Sequence, residues 1–355
     1  MKKIVVSSIR SNAGKTSIIA GIISSLKDKK FAYAKPLGDR LIYRRKRSWD
    51  YDASLMVSLL ERKGELESHY EKITLGFDHS KLRYMYDQEG IKTALSDIVT
   101  NIGGKNDVLL IEGGKDFSCG AYLNLDPVSI AKYIDGTLVI VVSGDNDSII
   151  DDIKFIEKYM KIIDADFGGV IINKVTDVEA FENFFAPSIK EMGINIIGVI
   201  PYEAQLTYFT LDFLAEKLLA RVLTGEEHLK QVVKSIIIGA PSDTCPDHDL
   251  LFTKQCVSRE NQLMITGGER SDMILAALER DTIGIILTND IVPHQHIISR
   301  AKEKGIPILL VNMDTFLTAK TIDDMEALLK KDDTEKIKLL SGLIERYTRI
   351  KDFLA

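Results

Sequence analysis

The chain has 355 residues, of which 45% are hydrophobic and 28% are charged, and its net charge is −6. This length exceeds that of a typical single core and predicts two domains plus a short additional element. The negative charge argues against nucleic acid or an anionic membrane as a partner, and no apolar run approaches the roughly 18 residues of a membrane span. Cys119, Cys245 and Cys256 are widely spaced without a CxxC pair, which argues against disulfides or a zinc site and favours a reducing, cytoplasmic location.

Short runs of β-branched residues alternate with longer amphipathic stretches over the first part of the chain. Strands are predicted at Lys3–Ser7, Phe31–Ala34, Val108–Ile111, Leu138–Val142, Gly169–Ile172 and Ile196–Val199. Helices are predicted at Thr16–Lys27, Ala53–Arg62, Ile91–Ile102 and Ser148–Ile162. Near-continuous apolar strands separated by helices are typical of an α/β fold, in which a parallel sheet is covered by helices on both faces.

A phosphate-binding loop is predicted between the first strand and the first helix. The segment reads Ser11-Asn12-Ala13-Gly14-Lys15-Thr16-Ser17. In such a P-loop, backbone N–H groups surround the phosphates, the lysine bridges the β- and γ-phosphates, and the hydroxyl binds Mg²⁺. We therefore expect the residues from Asn12 to Ser17 to contact a nucleotide. The full GxxxxGK[ST] pattern has a glycine where this chain has Ile9, and a Gly-Lys-Thr that only begins a helix is the alternative interpretation.

Charged residues near the same edge of the predicted sheet complete a candidate site. Glu112 ends a buried strand, and the carboxyl ends of parallel strands face the ligand crevice. Asp52 stands at the start of a helix, where it either holds a metal or caps the helix. Lys35 follows the second strand and either neutralises a phosphate or a substrate carboxylate or is a solvated surface lysine. The hypothesis is that Asp52, Glu112 and Thr16 bind Mg²⁺ and that Lys15 and Lys35 are catalytic.

A second alternating pattern follows residues Leu211–Leu229, which are predicted to form one or two helices. Its strands are predicted at Ser235–Ile238, Gln262–Ile265, Gly284–Leu287 and Ile308–Val311, and its helices at Ser271–Glu279 and Gln295–Lys304. This pattern indicates a second, smaller α/β domain. The tail from Thr334 to Leu354 is amphipathic and predicts a helix that packs on a domain or on another chain.

The ordered motifs of the first part resemble the dethiobiotin synthetase family and its relatives, the cobyrinic acid amidating enzymes. After the P-loop come Lys35-Pro36, Asp50-Tyr51-Asp52-Ala53, Glu112-Gly113-Gly114, Gly169-Val170-Ile171-Ile172-Asn173-Lys174 and Gly198-Val199-Ile200-Pro201. The resemblance is strongest to the dethiobiotin-synthetase-like N-terminal segment of some phosphotransacetylases. It implies a P-loop NTPase fold with ATP and Mg²⁺ as ligands.

The same resemblance implies a role for each matching residue. Lys15 and Thr16 would contact the ATP phosphates and Mg²⁺, and Asp52 and Glu112 would hold the metal. Lys35 would lie beside the substrate. The resemblance also implies that the nucleotide base is read by Asn173.

Residues Gln262–Leu275 resemble the small domain named after an Asp-Arg-Thr-Gly-Gly motif, the DRTGG domain. Of that motif the chain has the last three residues, Thr266-Gly267-Gly268, preceded by methionine and isoleucine. Such domains are associated with nucleotide-linked regulation and with pairing of subunits. The two glycines, with Arg270 nearby, either form an anion-binding turn or a tight strand–helix turn without a ligand.

The sequence thus predicts a P-loop domain at residues 1–215, a DRTGG-like domain at 216–330 and a C-terminal helix at 331–355. The favoured function is Mg-ATP binding with a regulatory second domain. The alternative is an active ATP-dependent synthetase that activates a small carboxylate substrate. The resemblance implies a homodimer, and acetyl transfer is not expected because it would need a further catalytic domain.

Overall fold

The computed structural model describes residues 1–44, 47–60, 73–104, 106–163, 165–239 and 260–355. They form two compact units, one from Met1–Tyr202 together with Leu329–Ala355 and the other from Glu203–Leu328. The sequence boundaries after residues 215 and 330 stay predictions, while the compact units divide the chain after residues 202 and 328. Cys245, Cys256 and the end of the predicted helix Ala53–Arg62 lie outside the described residues.

The first unit is built on a six-stranded parallel sheet. Its strands in chain order are β1 (Lys2–Ser8), β2 (Phe31–Ala34), β3 (Leu41–Arg44), β4 (Arg47–Asp50), β5 (Val108–Glu112), β6 (Thr137–Ser143), β7 (Phe167–Val175) and β8 (Ile196–Pro201). Strands β3 and β4 pair with each other as an antiparallel hairpin, and the other six have the order β2-β5-β1-β6-β7-β8. All six strands predicted for this part of the chain are therefore confirmed.

Helices cover both faces of this sheet. They are α1 (Lys15–Ser25), α2 (Tyr51–Leu59), α3 (His79–Met85), α4 (Gln88–Gly103), α5 (Pro127–Ile134), α6 (Asn146–Met160), α7 (Val178–Phe184) and α8 (Ala186–Glu191). Every residue of β5 is buried. A strand that is buried on alternate sides along its whole length must be covered on both faces, as the apolar sequence predicted.

The strand order places the P-loop at the centre of the sheet. Strand β1 lies between β5 and β6, and the chain goes from β1 to β2 on one side and from β5 to β6 on the other. A crevice opens at the carboxyl ends of the strands where the direction of winding changes in this way. The register pairs Val6 of β1 with Glu112 of β5, so Glu112 ends beside the loop that follows β1.

The C-terminal segment returns to the first unit as α13 (Thr334–Tyr347) and α14 (Ile350–Leu354), after the helices of the second unit. Helix α13 packs closely on α1, since a Cβ atom added to Gly21 would lie 2.7 Å from Cγ1 of Ile344 and 3.2 Å from the carbonyl oxygen of Leu340. Of the two locations predicted for this tail, the structure has the one on a domain of the same chain.

The second unit contains a five-stranded sheet and a short two-stranded one. Its strands are β9 (Phe209–Thr210), β10 (Arg221–Thr224), β11 (Val232–Val233), β12 (Ser235–Ile238), β13 (Gln262–Gly267), β14 (Thr282–Thr288) and β15 (Ile308–Leu310), and its helices are α9 (Leu211–Lys217), α10 (Ser271–Leu278), α11 (Gln295–Glu303) and α12 (Thr315–Asp323). The sheet order is β10-β15-β14-β13-β12, and β10 alone is antiparallel to its neighbour. The four strands and two helices predicted here are confirmed.

The prediction of one or two helices over Leu211–Leu229 is wrong in its second half. Helix α9 ends at Lys217, and β10 pairs antiparallel with β15. Val222 of β10 packs against the buried core that also contains Leu309. The chain after α9 therefore forms the short edge strand β10, where a continued helix was predicted. No helix among the described residues has the length and hydropathy that a membrane crossing needs.

Candidate functional site

The P-loop has a backbone conformation that depends on Gly14. Its φ is 97°, and a Cβ atom at this position would lie 2.4 Å from the amide nitrogen of Asn173. Asn173 donates that same amide to the carbonyl oxygen of Ala13 at 2.9 Å. Asn12 also has a positive φ of 61°, and Lys174 donates its Nζ to the Asn12 carbonyl oxygen at 2.7 Å. Residues at the end of β7 therefore hold the loop from one side.

Lys15 extends over the loop from the first turn of α1. Its Nζ donates to Oγ of Ser8 at 2.9 Å and to the carbonyl oxygen of Lys115 at 3.0 Å. Burial lowers the pKa of Lys15, against the charge of Glu112, which raises it. The hydrogen-bond partners of this buried ammonium are neutral oxygens. A negatively charged phosphate would bind it more strongly than these oxygens do.

Glu112 joins three elements at the edge of the sheet. Thr16 donates its hydroxyl to Oε1 of Glu112 at 2.8 Å, and Tyr33 of β2 donates its hydroxyl to Oε2 at 2.8 Å. Burial raises the pKa of Glu112 to about 7, with Lys35 opposing the rise. The carboxylate and the P-loop hydroxyl thus already lie together, as the prediction of a shared metal site requires.

Lys35 lies inside a cluster of three aspartates. Its Nζ is 2.6 Å from Asp39 Oδ1, 2.6 Å from Asp52 Oδ2 and 3.4 Å from Asp50 Oδ1, and its side chain is 1% exposed. Burial lowers the pKa of Lys35, but Glu112 and these aspartates outweigh burial and raise it well above its ordinary value. The interpretation of Lys35 as a solvated surface lysine is therefore wrong.

The two aspartates at the start of α2 have different roles. Asp50 caps the helix, since its Oδ1 accepts the backbone N–H of Ala53 at 3.0 Å. Its Oδ2 accepts the backbone N–H groups of Asp39 and Arg40. Asp52 is not the cap, so the capping interpretation applies to Asp50 instead. Burial alone would raise the pKa of Asp52, but Lys35 and Arg40 lower it below its ordinary value.

Arg40 connects the aspartate cluster to the P-loop. Its Nη1 is 3.3 Å from Asp52 Oδ1, and its Nη2 is 3.3 Å from Asn12 Oδ1. The Arg40 side chain is 29% exposed. No motif in the sequence indicates this position of Arg40.

The described donor set fits Mg²⁺. Hard cations of this kind take oxygen ligands from carboxylates, hydroxyls and phosphates. Thr16 and Glu112 are in direct contact, and the negative charge of Asp52 raises the pKa of Glu112. A hydroxyl in contact with a carboxylate beside a phosphate-binding loop is therefore chemically suitable for the ion.

Several site residues carried no specific signal in the sequence. A buried tyrosine hydroxyl in the strand Phe31–Ala34 needs a polar partner, and this could have pointed to Tyr33. The carbonyl of Lys115 and the hydroxyl of Ser8 could not be found in this way, since their roles depend on where the chain folds. Lys174, which holds the P-loop, stands directly after Asn173. Its place in the motif Gly169–Lys174 is its only signal in the sequence.

The glycine turn of the second unit is explained by packing within that unit. A Cβ atom on Gly268 would lie 1.7 Å from the carbonyl oxygen of Ile291. Arg270, the cation expected to attract an anion, is paired with Asp272 at 3.1 Å. Both observations support the interpretation as a tight turn without a ligand.

The parallel sheet, the P-loop after its central strand and the lysine, threonine and glutamate grouped there define the P-loop NTPase class. A family model described as an AAA domain matches residues 2–209, and a second model, the DRTGG domain, matches residues 213–325. The chain belongs to this AAA-domain family of P-loop proteins and carries a DRTGG domain after it.

Curated relatives have the same N-terminal arrangement and are phosphate acetyltransferases. The protein of Pseudomonas putida is 26% identical over 259 residues, which cover 67% of this chain and 36% of the relative. The protein of Nitratidesulfovibrio vulgaris is 25% identical over 369 residues, which cover 96% of this chain and 50% of the relative. The chain thus spans between about a third and a half of the length of these relatives.

Two solved structures match parts of the chain. The MinD cell division protein of Aquifex aeolicus is 21% identical, with a TM-score of 0.37, and the match covers 58% of this chain and 84% of that one. The CBS and DRTGG domains of the regulatory region of Clostridium perfringens pyrophosphatase are 15% identical, with a TM-score of 0.25, covering 48% and 84%. The strand order described above, rather than these superpositions, establishes the fold.

Proposed function

We propose that this protein binds ATP with Mg²⁺ at the P-loop and that the DRTGG domain gives the binding a regulatory role. The observation that carries the proposal is the contact between Thr16 and Glu112 beside a buried Lys15. Lys15 would meet the β- and γ-phosphates, and Thr16, Glu112 and Asp52 would hold the metal. Bound Mg²⁺ would neutralise charge on the phosphate oxygens.

Nucleotide selectivity follows from the same proposal. Asn173 would read the base according to the family resemblance. Its amide nitrogen is donated to the Ala13 carbonyl, so this nitrogen supports the loop. Base reading would therefore use the remaining amide oxygen or a change of rotamer, and ATP and GTP need to be compared directly.

A second candidate is an ATP-dependent synthetase that activates a small carboxylate. The observation in its favour is the concentration of Lys15, Lys35 and Arg40 at one sheet edge, where cations would stabilise a transferring phosphoryl group. Against it, the charge of Lys35 is already matched by three aspartates in a position closed to solvent. Binding with regulation is therefore the better-supported function.

Isothermal titration calorimetry tests the proposal. The purified protein is titrated with ATP and with GTP, each with and without Mg²⁺, and Lys15→Ala is compared with Lys27→Ala. Lys27 is exposed just after the same helix and provides a matched loss of one lysine. We expect Mg-dependent ATP binding that Lys15→Ala abolishes and Lys27→Ala preserves. Absence of nucleotide binding by the wild-type protein would refute the proposal.

Two further properties belong to this proposal. We infer a homodimer from the family resemblance, and light scattering with and without Mg-ATP should give twice the mass of the chain. A monomeric mass under both conditions would contradict the dimer. We also infer a cytoplasmic location, because ATP and Mg²⁺ are supplied there; fractionation that finds the protein in membranes would contradict this.

A further inference from the structure

Asp52 is held by two cations, one on each of its carboxylate oxygens. Lys35 approaches Oδ2 at 2.6 Å, and Arg40 approaches Oδ1 at 3.3 Å. Both oxygens of Asp52 are therefore already engaged by charged partners, which compete with a metal or its water shell for the same carboxylate. Binding of Mg-ATP as proposed above would therefore be favoured if one of these cations moved from Asp52 to a phosphate.

Lys35 is the cation that stays. It is enclosed by Asp39, Asp50 and Asp52, and its side chain is 1% exposed. Moving it would leave the buried carboxylates of Asp50 and Asp52 without its counter-charge, and an unpaired buried charge is strongly destabilising. The short distances to Asp39 and Asp52 indicate strong charge-assisted hydrogen bonds.

Arg40 is the cation that can move. Its side chain is 29% exposed, against 1% for Lys35, and two of its contacts, those with Asp52 and Asn12, are 3.3 Å long, at the long end of the hydrogen-bond range. The Arg40 backbone stays anchored independently, because its N–H donates to Asp50 and its carbonyl accepts the N–H of Tyr51. The side chain can therefore turn while the loop stays in place.

The destination of the guanidinium is set by its contact with the P-loop. Asn12 belongs to the turn that precedes Gly14 and Lys15, so a phosphate held by this loop would lie beside the Arg40 side chain. Guanidinium groups bind phosphate in a bidentate fashion, with two parallel hydrogen bonds. A terminal phosphate would offer Arg40 two charged oxygens in place of its 3.3 Å contacts with the Asp52 carboxylate and the Asn12 amide oxygen.

We propose that Arg40 is a phosphate-binding residue that exchanges Asp52 and Asn12 for the terminal phosphate of the nucleotide and thereby distinguishes ATP from ADP. The exchange also frees Oδ1 of Asp52 from its ion pair with Arg40. This inference rests on the proposed Mg-ATP binding and adds to it the residue that reads the γ-phosphate. Only hydrogen bonds and ion pairs change, and no covalent step is involved.

The test compares the affinities for ATP and ADP by calorimetry, each with Mg²⁺, in the wild-type protein, Arg40→Gln and Arg40→Lys. A charged hydrogen bond contributes enough that Arg40→Gln should weaken ATP binding about tenfold to hundredfold, with ADP binding changed less than about twofold. Arg40→Lys keeps the charge but loses the bidentate geometry. Its ATP affinity should therefore lie between those of the wild-type protein and Arg40→Gln. Arg346→Gln, on the exposed side of α13, is the control and should change neither affinity.

The possible results separate this inference from the proposed function. If Arg40→Gln and Arg40→Lys weaken ATP and ADP equally, or leave both unchanged, Arg40 does not read the terminal phosphate and the inference is overturned. Tighter ATP binding by Arg40→Gln would overturn it too, since Arg40 would then only compete for the site. Wild-type protein that binds neither nucleotide would refute the proposed function itself. Should Arg40→Gln fail to fold, Arg40→Lys alone decides the question.

Discussion

At the scale of single residues, Gly14 determines whether the P-loop can form. Its φ of 97° is strained for any residue with a Cβ atom, and that atom would also lie 2.4 Å from Asn173. We expect Gly14→Ala to lose Mg-ATP binding and to lower the free energy of unfolding by about 1–3 kcal/mol. Calorimetry and urea unfolding followed by the fluorescence of Trp49, which is the one tryptophan of the chain and lies in the first unit, measure the two effects.

Gly342 provides the matched control for that substitution. It lies in α13, and a Cβ atom there meets nothing within 4 Å. Gly342→Ala should therefore leave nucleotide binding intact and raise stability by about 0.5–1 kcal/mol, as alanine favours a helix over glycine. Equal effects of the two substitutions would show that the conformation of Gly14 has no special importance.

Glu112 makes the stability of the protein depend on pH. Burial raises its pKa from 4.5 to about 7, so the folded protein binds this proton more tightly than the unfolded chain does. The resulting stabilisation is fully present below pH 4.5 and is lost as the pH rises through about 7. We expect Glu112→Gln to lack this loss, so its stability relative to wild type should increase from pH 5 to pH 8.

Urea unfolding without nucleotide or metal, at pH 5 and pH 8, measures this difference. Both proteins share the other titrating groups. Altered hydrogen bonds to Thr16 and Tyr33 would shift the free energy of unfolding by a constant amount and would not change how it depends on pH. Parallel pH dependence of the two proteins would mean that Glu112 titrates near its ordinary value.

The sequence predicted the residues of the site whose type and position in a motif carry meaning by themselves. Lys15 and Thr16 follow the loop after β1, and Glu112 ends β5. Thr16 contacts Glu112 and Lys15 contacts Ser8, while their roles stay predictions. Arg40 and Asp39 were not predicted, because a charged residue in a loop is normally solvated and only the fold shows that these two meet Lys35 and Asp52. Their proximity to the site is visible only in the three-dimensional structure.

At the scale of elements, α13 stabilises the helix that carries the P-loop lysine. Ile344 is 1% exposed and lies against Gly21 of α1. Deleting most of a buried isoleucine costs about 2–5 kcal/mol, so Ile344→Ala should lower the free energy of unfolding by that amount. Urea unfolding followed by Trp49 fluorescence detects the change, and Lys338→Ala, on the exposed side of α13, should behave like wild type.

The strands that were not predicted from the sequence are short and have no long apolar run. Strands β3 and β4 have four residues each and include Arg44, Arg47 and Asp50, so no run of β-branched residues reveals the hairpin. Strand β10 has four residues and lies at the edge of its sheet. Long apolar strands such as β6 were predicted because burial on both faces leaves a continuous signature.

At the scale of the whole molecule, one compact unit is formed by two segments that are far apart in the sequence. The first unit takes Met1–Tyr202 and also Leu329–Ala355, with the second unit inserted between them. The amphipathic tail predicted a helix with a buried face but not which surface would bury it, because pairing across more than 300 residues has no local signal. The contact between Leu340 and Gly21 provides that information.

Nucleotide binding should stabilise the first unit by mass action. A ligand that binds only the folded state at 100 times its dissociation constant adds about 2.7 kcal/mol to the free energy of unfolding. We expect Mg-ATP to raise the urea concentration at the midpoint of unfolding, followed by Trp49 fluorescence, in the wild-type protein. The midpoint of the Lys15→Ala variant should not change. Trp49 lies in β4, directly before the helix that carries Asp52, so its fluorescence reports the part of the molecule that holds the site. If Mg-ATP delays unfolding equally in both proteins, the ligand binds somewhere other than the P-loop, since Lys15 is the group proposed to hold the phosphates.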